Sequence, residues 1–219
     1  MLIIRELGLM DYQECLLNMQ NFTLHRHEKT VDEIWFLEHP PVYTQGQAGK
    51  PEHILNRNHI PIVQSDRGGQ VTYHGPGQLV VYFLLDCRRH QLSIKQLVQG
   101  IEILTIAVLK AHQIDSHRIC TAPGVYVNHQ KIASIGLRIK NHCSYHGLAL
   151  NVDMDLQAFT NINPCGYEKL VMTQMKDWQP SVNSNTVINT FKHYIMQYTH
   201  NERLFQEWTC TTSTNSSIG

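Results

Sequence analysis

Residues 124–152 read GVYVNHQKIASIGLRIKNHCSYHGLALNV, and this stretch decides the fold. Branched and aromatic residues fill three runs, Gly124–Val127, Lys131–Ile139 and Ser144–Val152, which predicts three strands. Asn128-His129-Gln130 and Asn141-His142-Cys143 supply the short polar residues of tight turns between them. The segment therefore reads as consecutive strands folded back on one another. Working outward, Gln78–Leu85 (QLVVYFLL) is apolar at successive positions, the mark of a central strand covered on both faces. Asp32–Glu38 (DEIWFLE) is a further strand, stopped by Pro40-Pro41, and Leu2–Glu6 and Ile60–Val63 are shorter ones.

Helices lie outside and between these strands. Asp11 with Glu14 resembles a capping box, and Leu16, Leu17, Met19, Gln20 and Leu24 suit a helix of about four turns. Ser93 with Gln96 forms a second box and opens the clearest helix, with Ile94, Leu97, Val98, Ile101, Leu104 and Val108 at helical spacing. A third amphipathic helix is expected over residues 186–208, using Val187, Ile188, Phe191, Tyr194, Ile195 and Tyr198. The class this implies is α+β, with a central, mostly antiparallel or mixed sheet flanked by helices. No repeat or linker divides the chain. It is expected to form one domain over residues 1–208, with a small, polar, frayed tail at 209–219.

Composition narrows the function. Of 219 residues 42% are hydrophobic, enough to fill a core and to exclude a disordered tail. Eighteen basic and eighteen acidic side chains cancel, which weighs against a nucleic-acid partner. Fourteen histidines will drive the net charge up below pH 7. No apolar run approaches the roughly 20 residues that span a bilayer, so no membrane partner is expected. The opening MLIIRELGLMDYQE gains charge before a signal-peptide core can form, which makes the cytoplasm the expected location. Six cysteines contain no CxxC pair, so a disulfide framework is not expected.

Three places could carry chemistry. Residues 67–78, RGGQVTYHGPGQ, hold four glycines among the polar tips of Arg67, Gln70, Thr72, Tyr73 and His74. The run matches neither a phosphate loop nor a dinucleotide fingerprint. It reads either as a glycine-rich hairpin or as a wall where backbone closely approaches a ligand. Cys165 sits in Asn163-Pro164-Cys165-Gly166-Tyr167, a tight turn that brings a thiol toward the surface; an inert cysteine is the competing reading. Lys131 opens a strand whose regular alternation places it on one face with Ala133 and opposite Ile132. It is either solvated or, if folding brings a cysteine near, a desolvated proton acceptor of lowered pKa. His142, Cys143 and His146 invite a metal, but on a strand residue 143 points away from the other two, and no metal site is expected.

Taken together, RGGQVTYHGPGQ (67–78), APGVYV (122–127), KIASIGLRI (131–139), HGLALNV (146–152) and NPCGY (163–167) resemble the lipoyl/octanoyl transferases. These are the octanoyl-acyl-carrier-protein-to-protein octanoyltransferases, also called lipoate biosynthesis protein B. The resemblance spans residues 1–180 or so. It implies a fold similar to the lipoate/biotin protein ligase catalytic domain. It also implies catalysis by Cys165, as acyl-accepting nucleophile, with Lys131 as its partner. Substrate binding would fall to Arg67, Gly68, Gly69, Gln70, Val71, Thr72, Tyr73 and His74, to Ser134, Ile135 and Gly136, and to Gly147, Leu148 and Ala149.

The implied reaction moves octanoate from octanoyl-acyl carrier protein, through a cysteine thioester, to a lysine of a lipoyl domain. Acceptors would be the lipoyl domains of 2-oxoacid dehydrogenase E2 subunits and the glycine cleavage H protein. No cofactor and no ATP are required, in keeping with the missing nucleotide loop. Two other readings remain: an ATP-dependent lipoate or biotin protein ligase, which has no use for an essential cysteine, and a noncatalytic acyl-carrier-protein binding module.

Overall fold

Gln78–Leu84 is buried at every position, as its unbroken apolar run requires, and the architecture is arranged around it. The computed structural model describes residues 2–56 and 58–200. The chain runs β1 (Leu2–Leu9), α1 (Tyr12–Leu24), β2 (Asp32–Glu38), β3 (Val42–Gln45), β4 (Ile62–Gln64), β5 (Val71–His74) and β6 (Gln78–Leu84). It continues through α2 (Ile94–Ala111), β7 (His117–Ile119), β8 (Ala122–Val127), β9 (Gln130–Lys140), β10 (Cys143–Asn151) and α3 (Ser184–His200). The predicted helix beyond residue 200 and the tail at 209–219 lie outside the described residues.

Two sheets result. The larger has the order β1-β2-β6-β10-β9-β8-β7, the smaller β4-β3-β5. In each sheet one pair is parallel, β1 with β2 and β3 with β4, and the rest are antiparallel. The expected mixed sheet is therefore present.

Alternation along β6 sorts its side chains onto two cores. Leu79, Val81 and Phe83 pack with Leu97, Ile101 and Leu104 of α2 and with Val187 and Phe191 of α3. Val80, Tyr82 and Leu84 face the other way, against Cys15 and Met19 of α1. Full burial of each such side chain contributes about 1.5–3 kcal/mol. Of the two capping boxes expected from sequence, the one at Asp11 forms as a one-way cap and the one at Ser93 forms in full. Asp11 Oδ1 accepts from the Glu14 N–H at 3.0 Å, and Ser93 and Gln96 close a reciprocal box.

Three strands escape the sequence reading. β3 begins directly after Pro40-Pro41, where the strand reading stopped, and its four buried residues show no alternation. β5 occupies the middle of the glycine-rich run, and β7 has only three residues. A further difference lies in β9. Tyr126 pairs with Lys131 and Val125 with Ala133, so Ile132 is bulged out of the ladder. The bulge breaks the expected alternation, and Ala133 joins Ile132 in the core beneath α2 instead of sharing a face with Lys131.

Candidate active site

The short turn Pro164–Gly166 follows the β-bridge between Ile162 and Ile54. Its anchor is the Asn163 N–H, which donates to the His53 carbonyl at 2.8 Å. Proline fixes the entry, and Cys165 itself takes φ 57°, ψ 15°, a left-handed conformation unfavourable for a residue with a Cβ by on the order of 1–3 kcal/mol. Strain of this kind persists only where the surroundings enforce it. Here it presents a half-exposed sulfur to the end of a cavity.

Lys131 reaches the same point from β9. Its backbone is clamped by residues 171–173: its N–H donates to the Val171 carbonyl at 2.8 Å, and its carbonyl accepts from Thr173 at 3.0 Å. The chain leaving Cys165 thus returns to pair with Lys131. The residue is 2% exposed. Its ammonium donates to the Pro123 carbonyl at 2.9 Å and to Cys165 Sγ at 3.3 Å, and it lies 5.5 Å from the centre of the Tyr126 ring. The solvated reading of Lys131 is excluded. Its proton affinity also departs from expectation. Burial pulls it down, but the interactions with the Cys165 sulfur and the Tyr126 phenol together outweigh this and hold it above the usual lysine range.

The cavity has a volume of about 340 Å³, within the range of small-ligand pockets. Its walls include Arg67, Gly68, Gly69, Gln70, Thr72 and His74 from the glycine-rich run, Ser134, Ile135 and Gly136 from β9, and Gly147, Leu148 and Ala149 from β10. All but two of the catalytic and substrate-binding residues implied by the resemblance therefore meet in one place. The exceptions are Val71 and Tyr73. Strand alternation in β5 turns them into a separate core with Tyr43 and Phe159, while Thr72 and His74 face the cavity.

Glycine makes the close approach possible. Gly136 and Gly147 pair across β9 and β10, and the Gly68 N–H donates to the Leu137 carbonyl at 2.9 Å. A Cβ on Gly136 would stand 3.2 Å from the Gly68 carbonyl oxygen and 3.3 Å from Arg67 Cδ. The Arg67 segment consequently lies flat on the sheet. Its guanidinium is buried, donates to Thr44 Oγ1 at 2.8 Å and to the Gly68 carbonyl at 3.0 Å, and has no carboxylate in ion-pair reach among the described residues.

Sequence reasoning assigned no binding role to several lining residues: Tyr12, Val80, Tyr82, Ile94, Val98, Pro123, Leu137 and Tyr167 among them. Ile94 carried a weak signal, as an apolar residue 55% exposed at the start of a helix. His146 sat inside a matched motif. Its Nε2 meets Asp66 Oδ1 at 2.8 Å, which fixes the ring, and its Nδ1 has no partner. His74 is buried between Gln78 and Thr44, and burial holds it well below the ordinary histidine range, so it is neutral at pH 7. No group of side chains suited to a metal occurs among the described residues. No helix among them is long and apolar enough to cross a membrane.

Comparison with known proteins gives the family and the fold. Residues 11–198 match the lipoyl protein ligase A/B catalytic domain. The chain is 56% identical over 195 residues to an octanoyltransferase of Legionella pneumophila (strain Corby), covering 89% of this chain and 98% of that one. It is 57% identical over 179 residues to an octanoyltransferase of Vibrio cholerae (strain El Tor Inaba N16961), covering 82% and 83%. A crystal structure of lipoate-protein ligase A bound with ATP superposes with a TM-score of 0.73 at 15% identity, covering 98% of this chain and 96% of that one. Biotin protein ligase from Aquifex aeolicus gives 0.54 at 14% identity, with 95% and 73% covered. The fold is thus that of the lipoate and biotin ligase catalytic domains, and by sequence the chain belongs to the lipoyl/octanoyl transferase family as an acyltransferase.

Proposed function

We propose that this enzyme transfers an octanoyl group from octanoyl-acyl carrier protein to a lysine of a lipoyl domain, through a thioester on Cys165. The observation that carries the reading is the 3.3 Å contact between Lys131 Nζ and Cys165 Sγ at the end of the glycine-walled cavity. The attacking form in this reading is the Cys165 thiolate with the Lys131 ammonium beside it. The thiolate attacks the donor's thioester carbonyl; a new C–S bond forms to Cys165 and the bond to the carrier's thiol breaks. Lys131 gives its proton to that departing sulfur. Now neutral, Lys131 takes a proton from the incoming lysine amine as the C–N bond forms and the bond to Cys165 breaks.

Thiolate and ammonium are then restored, and the net change is thioester plus amine to amide plus thiol. The first exchange is nearly balanced and the second is strongly downhill, so no ATP is needed. A positioned proton carrier contributes on the order of 10²–10⁴ in rate. The cavity walls shelter the acyl-enzyme from water, and the two glycine-lined strands leave room for an alkyl chain. The acceptors of this reading are the lipoyl domains of 2-oxoacid dehydrogenase E2 subunits and the glycine cleavage H protein, and its location is the cytoplasm.

The deciding experiment incubates the protein with octanoyl-acyl carrier protein, then with an apo lipoyl domain, with and without ATP. Intact mass and peptide mapping should find one octanoyl adduct on Cys165 that disappears as the lipoyl domain gains it, independent of ATP. An adduct elsewhere, or transfer only with ATP and a free acid, overturns the reading.

A further inference from the structure

Glu102 is a carboxylate on α2, 5% exposed, on the helix face that meets the sheet. Its Oε1 accepts from the Gly124 N–H at 3.0 Å. On the far side, Lys131 Nζ donates to the Pro123 carbonyl at 2.9 Å. These two groups belong to one planar peptide unit, Pro123–Gly124. A carboxylate stands at its N–H end and an ammonium at its C=O end. Both align with the dipole of the unit, and each hydrogen bond polarises the other.

The local sequence is fitted to this bridge. Gly124 takes φ +133°, a region side chains rarely enter. A Cβ there would stand 2.5 Å from Lys131 Cε and 2.6 Å from the Ala133 carbonyl oxygen. Only glycine lets the lysine tail lie against this peptide. On Glu102, Arg118 Nη1 approaches Oε2 at 3.9 Å from the edge strand β7. The titratable groups around Lys131 are thus Cys165 from the 164–166 turn, Tyr126 from β8, whose phenol burial raises, and Glu102 from α2, whose carboxyl burial raises against the Gly124 hydrogen bond, Arg118 and Lys131, with Arg67 acting on Cys165.

We propose that Glu102 is a positioning residue: through the Pro123–Gly124 peptide it orients Lys131 and keeps its amine basic once acylation has consumed the negative charge on Cys165. The inference rests on the acyl-transfer reading for its role in turnover, but the link itself does not. A desolvated lysine without its thiolate partner loses proton affinity. The remaining buried negative charge then sets how readily it takes a proton from the incoming amine.

Two measurements test this. In a Cys165→Ser background, whose uncharged side chain imitates the acylated state, the Lys131 side chain is titrated by NMR with and without Glu102→Gln. Glutamine keeps an acceptor for the Gly124 N–H and loses the charge. The midpoint should fall by on the order of one pH unit. An equal or higher midpoint overturns the proposal. Arg118→Gln removes a positive charge and should move it the other way, which keeps the test open if Glu102→Gln does not fold. The second measurement loads the protein with octanoate from a synthetic thioester and follows single-turnover transfer to a lysine amine. With Glu102→Gln the pH profile should move to lower pH and its plateau fall roughly tenfold. An unmoved profile on a formed acyl-enzyme sinks the proposal. A shifted NMR midpoint with no acyl-enzyme on Cys165 upholds the link and sinks the transfer reading instead.

Discussion

Cys165 Sγ lies 3.3 Å from Lys131 Nζ although 34 positions separate the two residues in the chain. The contact depends on two backbone devices, the left-handed turn at Cys165 and the pairing of residues 171–173 with Lys131. Cysteine reactivity follows from such a basic, partly exposed setting. Among the described residues Cys15, Cys87 and Cys143 are buried and lack that exposure.

Thiol labelling should therefore be selective. Among the described residues Cys15, Cys87 and Cys143 are buried, Cys120 is exposed and Cys165 is half-exposed. Burial pushes the Cys15 thiol up to about 12 and that of Cys87 up to about 11. Iodoacetamide at neutral pH should modify Cys165 and Cys120 first, with Cys15 and Cys87 protected until the protein unfolds. Peptide mapping against time reads this, and early labelling of Cys15 would contradict it.

Replacing the lysine separates charge from proton transfer. Lys131→Ala should slow both acylation of Cys165 and onward transfer by on the order of 10²–10⁴. Lys131→Arg retains a cation beside the sulfur but cannot give up its proton, so transfer should stay slow. Single-turnover kinetics of the two half-reactions check this. Wild-type transfer in Lys131→Arg would remove the proton-carrier role.

The paired glycines should respond differently to alanine. A Cβ on Gly147 would stand 2.2 Å from the Val81 carbonyl oxygen, on the neighbouring strand β6, so Gly147→Ala should destabilise the fold by about 1–3 kcal/mol. On Gly136 the contacts of 3.2 and 3.3 Å fall on the Gly68 and Arg67 segment, which can give way. Gly136→Ala should leave the melting temperature close to wild type and raise KM for the acyl donor. Thermal unfolding and steady-state kinetics distinguish the two; a reversed pattern would refute the assignment.

Stability should fall in mild acid through His39. Its ring has no exposed surface, contacts the Met10 carbonyl through Nδ1 at 2.7 Å and meets Tyr82 Oη through Nε2 at 2.8 Å. Burial lowers its folded pKa from 6.5 to about 4. Above pH 6.5 neither state is protonated and the group contributes no slope. Between 6.5 and 4 the unfolded chain binds the extra proton, so stability drops with falling pH, by about 3 kcal/mol over the window. Urea unfolding across this window should show a shallower loss in His39→Gln. An identical slope would assign the acid sensitivity to other groups.

Much of the fold was legible because the patterns that reveal it are local. The cap at Asp11, the box at Ser93, the helical spacing from Ile94 to Val108 and the apolar run of β6 each express a rule acting within one turn or one strand. β3 was not legible, because four buried residues after two prolines carry no period to read. Glu102 carried a faint signal, a carboxylate among the buried positions of α2, whose meaning needed the neighbouring Gly124.

By itself the sequence determined seven of the ten strands and their order among the helices, the mixed sheet and the set of glycines, cysteine and lysine that carry the family resemblance. The tertiary structure alone decided three things. It set the distance from Lys131 to Cys165, turned Val71 and Tyr73 away from the cavity, and raised rather than lowered the proton affinity of Lys131. The reason is physical: periodicity and capping act between near neighbours, whereas contact, burial and charge coupling depend on residues that only folding brings together.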